Sequence, residues 1–418
     1  MTQTDLTPTF RDSDKVAAIR AELPAVQRYA YLNAGTNGPL PRRSVAALTQ
    51  QAEIELEEGR INPETWEHIQ ASLNDIRAAV ASLLGCAPEE VALTHNTTEG
   101  INIALMGIDW QPGDELITAS SEHEGGLNPA ALIKQRYDVT VHLTEIGLRD
   151  CDPVQTLAKL IGPRTRAIVL SHVSWSSGAV LPMKEISDLV HSVGALVICD
   201  AAQSCGMVPS KVYDLGVDAY ACSGQKWLLG PDGTGALFVR KDQIDQIKQT
   251  YIGHSGLVGR MIRDDAVFTP LEGARRYEAS SFYHPSLKAF HAGLTWIADE
   301  IGWDWVYRRI HALGQYCYDV LARIDGVSMY MPKHAIAGLV HFTAEGVAPA
   351  NLTAKLAADG ILIRHTPEPQ LNRVATGFYN NEADIDRLAA SVARIRAELT
   401  QEVGGLRPPS PYFKRLVR

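Results

Sequence analysis

Lys226 lies in Ala221-Cys222-Ser223-Gly224-Gln225-Lys226-Trp227-Leu228-Leu229-Gly230-Pro231, 26 positions after Asp200, which closes the apolar run Val197-Ile198-Cys199. A lysine amine can hold an aldehyde as a Schiff base, and a carboxylate can keep a pyridine nitrogen protonated so that the ring accepts electrons. Those are the two side chains that pyridoxal phosphate chemistry requires. Each also has a plainer reading. A carboxylate at a strand end could cap the next helix, and most lysines are solvated surface charges. The placement of Lys226 between Ser223-Gly224 and the apolar Trp227-Leu228-Leu229 predicts a partly desolvated turn in which the amine's pKa falls.

Further residues favour the chemical reading. Leu93-Thr94-His95-Asn96-Thr97-Thr98-Glu99-Gly100 reads as a strand entering a helix through hydroxyl residues. The free amides of a helix N-terminus bind phosphate, and Thr97 and Thr98 would serve there either as phosphate contacts or as plain caps. Ser120-Ser121-Glu122-His123 follows another strand, and His123 offers an aromatic face to stack on a cofactor ring. Alone, it could as well be structural.

The 418 residues suffice for two domains. With 48 acidic and 39 basic side chains the formal charge is −9, which argues against a nucleic-acid or anionic-membrane footprint and favours a small-molecule partner. Met1-Thr2-Gln3-Thr4-Asp5-Leu6 does not read as a signal peptide, and no apolar run approaches a membrane span, so a cytoplasmic protein is expected. Cys86, Cys151, Cys199, Cys205, Cys222 and Cys317 are scattered without metal-ligand spacing. They read as buried or indifferent thiols, and no metal site is expected.

Short β-rich runs at 115–118, 140–143, 167–171, 195–200 and 235–239 alternate with amphipathic stretches, implying an α/β domain around a mostly parallel sheet. Met183–Val193 places Ile186, Leu189, Val190 and Val193 on one helical face between two of these runs, as a βαβ crossover would. Beyond residue 285 the pattern becomes α+β: a long helix over 286–323, strands at 338–342 and 361–364, a helix over 349–359 and a last helix from Glu382. The expected division is a large domain over 30–285 and a smaller one from 1–29 and 286–418. The tail Gly404-Gly405-Leu406-Arg407-Pro408-Pro409-Ser410-Pro411 reads as extended, and the basic Lys414-Arg415-Leu416-Val417-Arg418 as a solvated terminus.

Five motifs, Asn96-Thr97-Thr98-Glu99-Gly100-Ile101-Asn102, Glu122-His123, Ser171-His172-Val173-Ser174-Trp175-Ser176-Ser177-Gly178, Asp200-Ala201-Ala202-Gln203-Ser204 and Ser223-Gly224-Gln225-Lys226-Trp227, occur in the order of one family. The chain resembles the fold-type I, class V aminotransferase superfamily, which includes cysteine desulfurases, isopenicillin N epimerase-like proteins and cystine carbon-sulfur lyases. The resemblance runs from Tyr31-Leu32-Asn33-Ala34-Gly35 to the final helix. It implies a large domain with a mostly parallel seven-stranded sheet, a small α+β C-terminal domain, and pyridoxal 5'-phosphate as cofactor.

By the same resemblance Lys226 binds the cofactor, Asp200 pairs with its ring nitrogen, His123 stacks on the ring, and Ala202 and Gln203 lie beside it, with Gln203 on the ring hydroxyl. Thr97, Thr98, Ser223 and Gln225 hold the phosphate. Gln225 stands where histidine is usual, and its amide can still donate a hydrogen bond. Ser281 matches a hydroxyl residue contributed across a dimer interface, which implies a homodimer with shared sites. Asn33, Trp175, Arg364 and Arg373 match substrate-side positions, and an arginine fork suits the two oxygens of an α-carboxylate; for Arg373 the plainer alternative is a surface salt bridge. His254, Tyr283 and His284 could be pocket residues or structural ones.

Persulfide-forming desulfurases carry a nucleophilic cysteine after the strand of the first arginine, where this chain reads Arg364-His365-Thr366-Pro367-Glu368-Pro369-Gln370-Leu371. Trp175 stands where they carry asparagine. The Ser171–Pro182 segment, Gly107-Ile108-Asp109-Trp110 and Tyr251-Ile252-Gly253 resemble the carbon-sulfur lyase branch. The expectation is a lyase performing β-elimination on cystine or another S-substituted L-cysteine, giving aminoacrylate, hence pyruvate and ammonia, and a thiol or persulfide. An aminotransferase or epimerase is the alternative enzyme, and a cofactor-binding regulatory protein without turnover is the alternative class.

Overall fold

The computed structural model describes residues 12–148, 151–259 and 267–403, with side chains through 398. The N-terminal hexapeptide and the tail from Gly404 lie outside the described residues. In chain order the strands are β1 (Ala30–Tyr31), β2 (Val91–Thr94), β3 (Glu115–Ala119), β4 (Thr140–Thr144), β5 (Thr165–Ser171), β6 (Leu196–Asp200), β7 (Ala219–Ser223), β8 (Gly235–Val239), β9 (Val327–Met329), β10 (Leu339–Ala344), β11 (Ile361–Leu362), β12 (Arg364–Thr366) and β13 (Leu371–Ala375).

Seven of them form one sheet in the order β2-β8-β7-β6-β5-β3-β4. Only β8 runs against its neighbours, antiparallel to both β2 and β7; the other pairs are parallel. The fold is therefore the expected α/β arrangement around a mostly parallel seven-stranded sheet. Both faces are covered except at the edge strand β4, where Leu143 is exposed, and the inner strands feed two cores in alternation. Val197, Cys199, Tyr220 and Cys222 point into one core; Ile198, Ala219 and Ala221 point into the other. A sheet buried on both sides needs near-continuous apolar strands rather than alternating ones, which is the pattern read from the sequence.

The crossover helix between β5 and β6 is Met183–His191, with Ile186 and Val190 buried against the sheet and Leu189 partly so. Val193 departs from the expectation: it lies beyond the helix end and is 37 % exposed, because the chain turns out at Gly194 with φ 77°. The long helix expected over 286–323 is also interrupted. One α-helix spans His284–Thr295, a wider turn covers Trp296–Ile301, and a second α-helix spans Trp303–Ala322. Gly302 between them has φ 85°, a conformation that favours glycine and ends a helix.

A second sheet, β12-β13-β10-β9, is antiparallel throughout. The segment expected as one strand at 361–364 is two strands of different sheets. β11 pairs in parallel with β1, and after Ile363 the chain re-enters as β12 beside β13. The Pro349–Ala358 and Glu382–Val403 helices cover this part of the molecule. After β1, Asn33 bridges to Ala375 at the end of β13, so residues 30–33 link the β1-β11 pair to the second sheet.

Candidate active site

Because β2 and β7 both run opposite to β8, the carboxyl ends of β2, β3, β5, β6 and β7 share one edge of the large sheet. Ligands of open α/β sheets bind outside that edge. A cavity of about 450 Å³ lies there. Its lining includes Thr97 and Thr98 after β2, His123 after β3, Ser171 and Trp175 from β5 onward, Asp200, Ala202 and Gln203 from β6, and Ser223, Gln225 and Lys226 from β7. Arg364 and Arg373 close it from the second sheet, and Gly35, Thr36 and Asn37 from the segment after β1.

The turn that presents Lys226 is tied down by its backbone. Gly224 N donates to Thr234 O at 2.7 Å and Gly230 N to Gly224 O at 2.8 Å, while Leu229 takes φ 55°. Gly38 N donates to Gln225 O at 2.7 Å. That approach is close enough that a Cβ on Gly38 would run into Leu229 and the Lys226 carbonyl. Burial lowers the Lys226 amine to about 8; Asp200 opposes the shift, and the charges of Arg373 and Arg364 add to it. The desolvated turn expected from sequence is thus present, with the stated effect on the amine.

Asp200 ends β6, buried, with Oδ1 accepting from Ala202 N at 2.9 Å. Burial raises its pKa, against the pull of that amide, Lys226 and His123. Glu122 is a second buried carboxylate, accepting from Ser171 N at 2.7 Å and from the Ser171 hydroxyl. Ser171 is the cross-strand partner of Asp200, and burial followed by the charge of Asp200 lifts Glu122 to about 7. His123 caps the Glu124–Tyr137 helix, its Nδ1 accepting from Gly125 N at 3.0 Å. Its ring meets Trp175 edge-on, with centroids 5.3 Å apart, and burial and Lys226 lower its pKa.

At the Thr97–Met106 helix the capping role falls to Asn96, whose side chain accepts from Glu99 N at 2.9 Å. The plain-cap reading of Thr97 and Thr98 is therefore corrected: both are inside the first turn. Thr97 N donates to Ser223 Oγ at 2.9 Å, and the two hydroxyls lie 2.6 Å apart. Gln225 Oε1 is buried without a hydrogen-bond partner, an unusual cost unless a ligand completes the site. Turning that amide presents its N–H₂ group instead. A helix N-terminus, two hydroxyl side chains and an unsatisfied amide fit a phosphate group. Gln203 spends one amide hydrogen on Gly35 O (2.9 Å) and accepts from Trp227 Nε1 (3.0 Å), leaving one hydrogen for a ligand.

On the opposite wall, Arg364 and Arg373 are direct cross-strand partners of β12 and β13. Arg373 is 1 % exposed, so the surface salt bridge considered for it is excluded. Neither arginine has a carboxylate partner among the described residues. Arg373 Nη2 donates to Thr36 Oγ1 at 2.9 Å and Nη1 to Trp175 O at 3.4 Å, while its Nε has no partner. Burial and the neighbouring charge of Arg364 bring its pKa down to about 9. The next residue in the same cross-strand row is His341, which also faces Trp175 O at 3.2 Å and is held neutral, its pKa about 3.

Not every expected residue meets here. Asn33 stands behind the lining, accepting from the Thr36 hydroxyl at 2.8 Å. Ser281 lines a separate surface depression with His254 and His284, so within one chain these three are away from Lys226, and Tyr283 is exposed. Thr36 and Asn37 have no place in the sequence reading, and Gly35, Asn96 and Ser171 stand in it only as members of longer motifs. The spaced glycines Gly35 and Gly38 after a short apolar strand are the signal that could have pointed to Thr36 and Asn37, since such glycines mark close backbone approach. None of the six cysteines lines the cavity.

The family description of class-V aminotransferases matches residues 31–388. A probable cysteine desulfurase of Mycolicibacterium paratuberculosis is 30 % identical over 94 % of this chain, which spans 61 % of that relative's length. Two solved structures of C-DES superpose with TM-scores of 0.85 at 28 % identity. One, covering 89 % of this chain and 99 % of its own, is a complex of the cystine C-S lyase with its reaction product cysteine persulfide. The other, covering 90 % and 98 %, has glycine covalently linked to its PLP cofactor.

Proposed function

The chain belongs to the class-V aminotransferase family, and from that premise we propose that it is a pyridoxal phosphate-dependent carbon-sulfur lyase acting on L-cystine or another S-substituted L-cysteine. One observation carries the choice: a cavity with Lys226, Asp200 and two arginines that have no carboxylate partner among the described residues has no cysteine in its lining. Sulfur leaving the substrate therefore has no thiol of this chain in the cavity to receive it and departs on a small molecule. The likeness to C-DES, a cystine C-S lyase whose product is cysteine persulfide, supports the same reading.

When bound, pyridoxal phosphate supplies an electron-accepting ring that makes the α-proton of an attached amino acid removable. The protein's own groups then have these tasks. Thr97, Thr98, Ser223 and Gln225 hold the phosphate. Asp200 would face the ring nitrogen and keep a proton there, and His123 would pack on the ring. Arg364 and Arg373 hold the substrate carboxylate. The Lys226 amine, lowered to about 8, takes the α-proton as a base matched to near-neutral pH. Loss of that proton and of the sulfur substituent gives aminoacrylate, which adds water to yield pyruvate and ammonia; from cystine the departing half is cysteine persulfide.

The test is to supply L-cystine to the cofactor-loaded protein. Pyruvate in step with a low-molecular-weight persulfide, and no sulfur added to the protein's mass, is expected. Keto acid that forms only when an amino-group acceptor is present would replace the lyase by an aminotransferase. Sulfur found on a cysteine of the protein would restore a desulfurase.

We also read the enzyme as a homodimer in which Ser281 of one subunit reaches the phosphate of the other. Its depression is bordered by the half-exposed Trp66, and apolar surface of that kind marks contact sites. A cytoplasmic setting accords with six free cysteines, and among the described residues no helix is long and apolar enough to cross a membrane. Recovery of the protein from its native cell with all six thiols reduced is the check on that setting.

A further inference from the structure

We propose that Thr36 is a positioning residue for carboxylate recognition: its hydroxyl locks Arg373 and Arg364 into one fork. The proposal deepens the lyase reading and rests on it. A hydroxyl has one hydrogen and two lone pairs, and here all three are committed. The hydrogen goes to Asn33 Oδ1 at 2.8 Å. The lone pairs accept from Arg373 Nη2 at 2.9 Å and, more loosely, from Arg364 Nη1 at 3.5 Å.

The two guanidinium groups need such a device. They sit at paired positions of β12 and β13, both positive, with no carboxylate between them among the described residues. An acidic side chain in that place would hold the arginines together but saturate the site that must take the substrate's carboxylate. A neutral oxygen orients the same donors and leaves their charge uncompensated for an incoming anion. Asn33 decides which way the hydroxyl points, since an acceptor on that side turns the hydrogen away from the arginines.

The backbone under Thr36 is fixed at three places. Asn33 bridges to Ala375 at the end of β13, Gly35 O accepts from Gln203 at 2.9 Å, and Gly38 N donates to Gln225 O at 2.7 Å. Thr36 thus sets the fork relative to the loops beside Asp200 and Lys226 and not only to its own sheet. No other side-chain acceptor serves both arginines among the described residues.

The test uses the cofactor-loaded enzyme with two probes, glycine and methylamine, which share an amine and differ in the carboxylate; binding is read from the absorption of the bound cofactor. Thr36→Val, which keeps the shape and removes the hydroxyl, is expected to weaken glycine by about tenfold, the usual effect of losing a hydrogen bond to a charged group, and to leave methylamine within about twofold. Thr36→Ser should restore the glycine preference. For L-cystine the Michaelis constant should rise more than the maximal rate falls. If Thr36→Val keeps the parent ratio of glycine to methylamine affinity while still binding cofactor, Thr36 is merely structural and the proposal fails. If the parent enzyme itself binds both probes equally, the carboxylate site fails, and this proposal with it. Failure to bind cofactor at all would instead strike the lyase reading and, through it, the fork.

Discussion

At the residue scale the proposed chemistry converges on Lys226, whose amine would have to be neutral to attack the cofactor's aldehyde. With its pKa lowered to about 8 by burial, capture of pyridoxal phosphate by the apoprotein should quicken as pH rises, reach half its maximum near that value and then level off. Trapping the adduct with borohydride across pH measures this; a rate still climbing toward the 10.5 of an ordinary lysine would mean the amine is solvated. Lys226→Ala should remove both the trapped adduct and turnover. Lys226 and Asp200 were legible because each borders an apolar run, Asp200 after Val197-Ile198-Cys199 and Lys226 before Trp227-Leu228-Leu229, where a charge is unexpected and so informative. Thr36 was not, since a threonine carries no such contrast and its importance lies in two arginines more than 320 positions away. Gln225, noticed as a departure from histidine, acquires physical content only in its buried and unsatisfied amide oxygen.

At the element scale, strands rich in branched residues were visible and β7 was not, although it leads directly to Lys226. Ala219-Tyr220-Ala221-Cys222-Ser223 consists mostly of small residues with weak strand preference, and it is a strand because β6 and β8 flank it. The break at Gly302 was hidden by apolar residues that keep helical spacing on both sides. The close contact between the segment after β1 and the lysine turn yields a sharp expectation. Gly38→Ala places a Cβ against Leu229 and the Lys226 carbonyl, so it should cost about 1–3 kcal/mol of stability, as overpacking does, and weaken cofactor binding markedly. Gly162→Ala, with open space around its Cβ, is the control for urea unfolding and cofactor titration. Equal behaviour of the two variants would show that the segment yields without disturbing Lys226.

At the scale of the whole molecule, the sequence foretold an α/β sheet domain followed by α+β structure, but not which strands of the second sheet would turn toward the first. Ser281 provides the test of assembly. It lies outside the Lys226 cavity of its own chain, so Ser281→Ala should weaken cofactor binding about tenfold, by loss of one hydrogen bond to a charged group, only if a second copy brings it to the phosphate. Unaltered cofactor affinity in a sedimenting dimer would remove it from the site. One more consequence comes from the two arginines standing on a different sheet from the lysine. On the proposed reading an amino acid bound between them would be gripped at its carboxylate by one jaw and at its nitrogen by the other, so the protein would work as a caliper closed on the distance between those two groups. Inserting a single carbon there should exclude a substrate, as in a β-amino acid. The substituent on sulfur lies outside the jaws and is not gauged by them, so the enzyme should be strict about the backbone of its substrate and lenient about what it cuts away.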